Sequence, residues 1–181
     1  MTDVARFEAF VREYQDMVFA TAVRLLGREP DAEDVAQTVF MRAFERFDDI
    51  AGNPAVAGWL KTVTRNLCLN HLSRYRARWR FFSEMDREHA GDALPRLDAR
   101  IARMASAHED LERIESRERL ERALRTLPDH QRVPLVLFHF EELSYDAIAE
   151  TMGISLAKVK SDIHRGREAL RQELSIPYGS R

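Results

Sequence analysis

The chain has 181 residues, 45% of them hydrophobic, with seven glycines, six prolines and one cysteine, Cys68. This excludes disorder throughout, an internal disulfide framework and a sheet-rich fold, and no stretch has the apolar length of a membrane span. The formal net charge of −2 hides a segregation: residues 1–50 carry six arginines against eleven acids, Lys61–Arg80 carries six cations and no acid, and 151–181 carries six cations against three acids. Two basic patches set apart by acidic ones suit two contacts with a polyanion, with other surfaces left for other partners. The start, MTDVARFEAFVREYQ, has acids and no continuous apolar run, so no signal peptide is expected and a soluble, reducing, cytoplasmic setting is.

Val4, Phe7, Val11, Tyr14, Val18, Ala22 and Leu25 recur at three and four, which predicts an amphipathic helix ended by Gly27. Asp31 is then placed to cap a second helix, with Glu33 and Asp34 at its positive end and Ala36, Phe40, Ala43, Phe44 and Phe47 as its apolar side. DDIAGNPA, from Asp48, reads as a loop. Asn53 followed by Pro54 suits the start of a third helix, in which Val56, Trp59, Leu60, Val63 and Leu67 face a core and whose later, basic turns reach about Arg80. From Phe81 to about Glu109 the periodicity weakens and both charges mix with Gly and Pro, as in a linker.

A helical pattern resumes with Leu111, Ile114, Leu120, Ala123, Leu124 and Leu127, and Pro128 stops it. Asp129 is expected to cap the next helix, whose first turn Pro134 should make irregular. Ser144 starts the short helix YDAIAETM, Gly153 ends it, and Ser155 caps a longer helix, SLAKVKSDIHRGREALR. A short helix, a tight turn and a longer helix form the helix-turn-helix arrangement, whose second helix enters the DNA major groove. On that helix Val159, Ile163 and Leu170 share one side, and Ala157, Lys160, Ser161, His164, Arg165 and Glu168 share the other. Lys160 and Arg165 suit phosphates or guanine edges, Ser161 can donate to either, and His164 can hydrogen-bond or meet a thymine methyl. Asp162 falls on the flank, within reach of Lys158 and of Arg165.

The segments DAEDVAQTVFMRAFERF, WLKTVTRNLCLNHLSRYRAR and LRTLPDHQRVPLVLFHFEELSYDAIAETMGISLAKVKSDIHRGREALR together resemble the bacterial extracytoplasmic-function sigma factors, the small two-domain members of the sigma-70 family. The resemblance implies an all-α protein of two small helical domains: a region 2 bundle over 1–80 and a region 4 helix-turn-helix over 110–175. A flexible linker over 81–109 joins them, and 176–181 is a tail. It implies binding to bacterial core RNA polymerase, with Asp31, Asp34, Gln37, Phe40 and Arg42 against the β′ coiled coil. It further implies capture of the opened minus-ten strand by the loop around Ile50, Gly52 and Asn53 and by Asn66, Asn70 and Arg74. Reading of the minus-thirty-five duplex falls to Lys158, Lys160, Ser161, His164, Arg165 and Arg167, and the second domain is also expected to touch the β flap. Control by an anti-sigma factor is implied, and neither a cofactor nor a metal is.

Departures from the family pattern are visible. The loop IAGNPAV lacks aromatic and basic residues, Asp162 occupies a place where relatives often have arginine, and Phe138 stands where a phosphate-binding cation is common. Reversing Asp162 to arginine is therefore expected to tighten upstream-element binding. Trp59 reads as core ahead of a base-stacking platform. A homodimeric helix-turn-helix regulator that acts without polymerase is the rival function, although it has no need of the acidic second helix and the separate basic helix. An enzyme is not expected: Cys68 and His71 lie one turn apart, yet no second ligand pair, phosphate loop or serine motif accompanies them.

Overall fold

Gly27 takes a left-handed backbone conformation (φ 73°), and its N–H donates to the Val23 carbonyl at 2.7 Å. That closes the first helix where the sequence places its end. The computed structural model describes residues 3–73 and 110–175, among which there are eight helices and no strand. The chain divides into two compact units, Met1–Arg87 and Glu88–Arg181. The expected linker over 81–109, the basic continuation of the third helix with Arg74, and the tail over 176–181 lie outside the described residues.

In the first unit α1 (Asp3–Leu26) packs against α2 (Glu29–Glu45) and α4 (Val56–Ser73), which also pack on each other, and a short α3 (Phe47–Ile50) bridges the turn. The core is built from Val18, Ala22 and Leu25 of α1, Ala32, Val39 and Ala43 of α2, and Leu60 and Cys68 of α4. A leucine hidden as fully as Leu25 or Leu60 contributes roughly 1.5–3 kcal/mol relative to an exposed one. Thr64 is also fully buried, and its hydroxyl donates back to the Leu60 carbonyl at 2.7 Å, which satisfies the group inside the helix.

Four local expectations are corrected here. Helix α2 begins at Glu29 behind Arg28, with no side-chain cap, because Pro30 is pre-set for a first helical turn; Asp31 therefore lies inside the helix and does not cap it. Its buried side is Ala32, Val35, Val39 and Ala43, not Ala36, Phe40 and Phe44, and Phe44 stays 57% exposed. The small and β-branched residues fit between α1 and α4, and the bulkier aromatics are turned to the flank. The stretch from Asp48 is not all loop, since α3 covers its start. Asn53 acts one turn earlier than a helix cap: its Oδ1 accepts the Ala55 N–H at 2.9 Å, and the helix proper starts at Val56.

In the second unit α8 (Leu156–Ser175) packs against α5 (Asp110–Thr126), α6 (Asp129–His139) and α7 (Tyr145–Met152). Leu124, Val136, Leu137, Ile148, Val159 and Ile163 make its core. Pro134 does not disturb the first turn of α6, which is continuous from Asp129, because it stands in the second turn, where the one hydrogen bond its missing N–H forgoes is the bond back to His130. The cap is Pro128, not Asp129, whose carboxylate instead pairs with the buried Arg132. Arg132 Nη1 also donates to the Leu127 carbonyl at 2.7 Å and so joins the end of one helix to the start of the next. Ile114, expected to face the core, is 54% exposed.

Candidate nucleic-acid interface

Three local devices fix the ends of α7 and the start of α8. Ser144 accepts the Ala147 N–H at 3.2 Å, Gly153 adopts φ 65° at the end of α7, and Ser155 accepts the Lys158 N–H at 3.2 Å. Each serine satisfies an N–H donor at a helix start, and the left-handed glycine turns the chain at no steric cost, so that the Gly153 and Ile154 N–H groups donate to the Glu150 and Ala149 carbonyls at the end of α7. Gly153 and Ser155 together make the tight turn from α7 into α8.

Helix α8 buries Val159, Asp162, Ile163, Gly166, Arg167 and Leu170. Its outward side carries Ala157, Lys160 and Glu168, exposed, with Ser161, His164 and Arg165 half-buried around them. Five of the six residues expected to meet DNA thus keep some access, and Arg167 does not. It is 5% exposed, its Nε and Nη2 contact His139 Nε2 at 3.2 and 3.1 Å, and its guanidinium lies 5.4 Å above the Phe138 ring. Phe138 in turn stacks on Tyr145 at 4.7 Å. The cation is committed to holding α8 on α6, because an aromatic face and a neutral imidazole nitrogen both accept it. Burial and the Arg167 charge push His139 down to about 4, so that the imidazole is neutral at ordinary pH and free to accept.

Asp162 is 1% exposed, and the Lys158 ammonium reaches its Oδ1 at 2.9 Å. Of the two cations within reach in the sequence, Lys158 makes the hydrogen bond. Burial pulls the carboxyl above the usual range, while the Lys158 bond and charge, then His130 and Arg165, pull it back. An arginine in this position would have to occupy packed space beside Lys158, so Asp162→Arg is corrected to a change that disrupts the domain before it can reach DNA.

In the first unit the five residues expected to meet polymerase do not share one side of α2. Asp34 and Gln37 point to solvent; Phe40 leans towards α1; Asp31 and Arg42 lie on the opposite flank. The Asp31 carboxylate sits 3.8 Å from His71 Nε2 on α4 and 3.5 Å from Arg28, so it works within its own domain. The outlook of α2 is instead dominated by an open groove of about 940 Å³ shared with α1. Phe7, Phe19, Phe40 and Phe44 line it, and its rim holds Asp16, Glu33 and Glu45 with no cation. Phe19 and Met41 were not singled out from the sequence, and Phe44 was placed on the buried side; for the two on α2 the signal available was a second apolar stripe, one step round from the buried one.

On α4, Asn66 and Asn70 are exposed on the same side as Gly58, Thr62 and Ser73. Trp59, read from the sequence as core, stands at the edge of that polar stripe and is half-buried. Thr62 and Gly58 complete the stripe and were also missed, although their spacing to Asn66 is helical. The loop before α4 places Gly52 at φ 77° with open space around it, and Asn53 N–H donates to the Ile50 carbonyl at 3.1 Å. Ile50 is half-buried. Cys68 is buried and in no disulfide, and among the described residues no group of three or more His, Cys, Asp or Glu could hold a metal ion. Among the same residues no helix is long and apolar enough to cross a membrane.

Residues 10–79 match the family described as Sigma-70 region 2, and residues 117–170 match Sigma-70, region 4. The chain is 31% identical over 173 residues to the ECF RNA polymerase sigma factor SigW of Bacillus subtilis (strain 168), covering 95% of this chain and 90% of that protein. It is 34% identical over 172 residues to the ECF RNA polymerase sigma factor SigE of Mycolicibacterium smegmatis, covering 93% of this chain and 62% of that one. A solved structure of the sigma factor RpoE with the anti-sigma factor NepR from Bartonella quintana is similar at 24% identity and a TM-score of 0.48, covering 94% of this chain and 97% of that chain. With both regions present in order and the Bacillus subtilis relative matched along nearly its whole length, the chain belongs to the extracytoplasmic-function sigma factors of the sigma-70 family, non-enzymatic factors of transcription initiation.

Proposed function

We propose that the two units divide the work of promoter-specific initiation, in the cytoplasm, as follows. The first unit, within residues 1–80, docks on core RNA polymerase and holds the opened minus-ten strand. The second, within 110–175, reads the minus-thirty-five element as a duplex and touches the β flap. The observation that carries the DNA reading is α8, a capped helix that buries one side and on the other keeps Lys160 exposed and Ser161, His164 and Arg165 partly accessible.

The acid-rimmed aromatic groove between α1 and α2 supports docking of a helix with an apolar stripe and basic flanks, in keeping with the β′ coiled coil. Asp34, Gln37 and Phe40 stand on or beside it; Arg42 lies on the far flank and belongs with the strand-binding side. The exposed amides of Asn66 and Asn70 suit the edges of unpaired bases, and the open loop around Gly52 and Asn53 leaves room for one base turned out of the strand. Arg74 is assigned to the same strand on the resemblance alone, as are control by an anti-sigma factor and the β flap contact. Membership of the family sets aside the homodimeric regulator.

Run-off transcription over a panel of promoter fragments with purified core polymerase tests this reading. Initiation from a defined start that depends on the protein and is lost in Asp34→Ala or Asn66→Ala is expected. Equal run-off with the wild type and both variants would remove those residues from the interface, and no run-off on any fragment would remove the reading.

A further inference from the structure

Asp162 is the only buried carboxylate among the described residues, and it sits in α8, the second helix of the helix-turn-helix. Its Oδ1 takes the Lys158 ammonium, while Oδ2 is buried with no hydrogen-bond partner. A carboxylate stripped of water with one oxygen stranded holds its one bonded cation tightly, because releasing that cation would leave a bare charge in the interior. The other basic groups close enough to stabilise its charge are His130 on α6 and Arg165 on α8. Lys158 itself is only 28% exposed. Helical spacing places it where the outward side of α8 meets the packed side, and the bond to Asp162 draws its ammonium towards the packed side, away from Lys160 and His164.

We infer that Asp162 is a positioning residue that lowers DNA affinity by withdrawing Lys158 from the phosphate backbone, so that the helix meets DNA with one cation fewer than it carries. This rests on the reading that the outward side of α8 meets duplex DNA. Sequence-independent attraction to DNA comes from phosphate contacts, each of which adds about 0.9 to the steepness of log affinity against log salt. Holding one lysine back trims this part of the affinity and leaves the base-reading side chains where they are.

The test is the salt dependence of binding of the full-length protein to a fluorescent DNA duplex, with folding of every variant checked by circular dichroism. Asp162→Asn is expected to release Lys158 and steepen the slope by about 0.9, and Lys158→Gln alone to leave it unchanged. The double variant should return to the wild-type slope, which a purely structural role for Asp162 would not produce. A slope unmoved by Asp162→Asn, or flattened by about 0.9 in Lys158→Gln alone, overturns the inference. Should Asp162→Asn fail to fold, the Lys158→Gln slope decides by itself. Lys160→Ala separates the two layers: a silent Lys160→Ala refutes the DNA-facing reading, and a flattened slope there with no change at Asp162 refutes only the role given to Asp162.

Discussion

Replacing His139 by glutamine should remove a defined part of the acid sensitivity of the second unit. In the folded chain the imidazole is held down at about 4, first by burial and then by the Arg167 guanidinium, whereas an unfolded histidine titrates near 6.5. Between those two values the unfolded state binds the extra proton and the folded state does not. The contribution is therefore fully present above about pH 6.5 and is lost as the pH falls towards about 4. At 1.36 kcal/mol per unit the whole interval would be worth at most about 3.4 kcal/mol, and the partial access of the ring to water reduces this to roughly 1–2 kcal/mol. Glutamine keeps an acceptor for Arg167 but has no proton to gain.

Urea unfolding of the full-length wild type and His139→Gln, followed by hydrogen exchange at the α8 amides, reports on this unit at pH 7 and pH 5. The wild type should lose more stability than the variant by a sizeable part of that 1–2 kcal/mol. All other titrating groups are common to both proteins and cancel, including Asp162, whose raised value acts in the opposite sense by favouring the folded state as the pH falls. Equal losses in the two proteins, or an imidazole that titrates at 6.5 or above by NMR, would refute the account of the Arg167 contact.

Three further outcomes are expected. Glu142 has φ 56°, a left-handed conformation without glycine, so Glu142→Gly should raise the urea midpoint of the second unit by the equivalent of about 0.5–1 kcal/mol. A Cβ on Gly166 would come within 3.0 Å of Leu135 Cδ1 and 3.3 Å of the Gln131 carbonyl, so Gly166→Ala should destabilise the α6–α8 contact by about 1–3 kcal/mol, seen as faster exchange at α8 amides. Phe44→Ala should leave the thermal midpoint of the free protein nearly unchanged, because the ring is 57% exposed, yet weaken binding to core polymerase by about 1–3 kcal/mol in fluorescence titration.

The helix-turn-helix was legible because its signals are local. Ser144, Gly153 and Ser155 act on donors and angles a few residues away, and no distant partner decides whether they work. The face of α2 was not legible in the same way. Its spacing supports two apolar stripes, and only the placement of α1 and α4 selects Ala32, Val35 and Val39 for burial while leaving Phe44 in the groove. Arg167 failed for a related reason: a long cation near the end of a reading helix looks like a phosphate contact until Phe138 and His139, 28 residues away in the case of His139, are known to lie against it. Asp162 was half legible. Its pairing range was readable from the helix, but its depth was not, since depth belongs to the neighbours.

The cluster of Phe138, His139 and Arg167 also bears on how far this domain can be rebuilt from its relatives' parts. A cation at position 138 would face the Arg167 guanidinium across the site now filled by the phenyl ring, and an acid at 139 would turn a neutral acceptor into a full ion pair. The three positions therefore form one unit of exchange: a chimera that imports α8 without the matching end of α6, or the reverse, joins two halves of different locks.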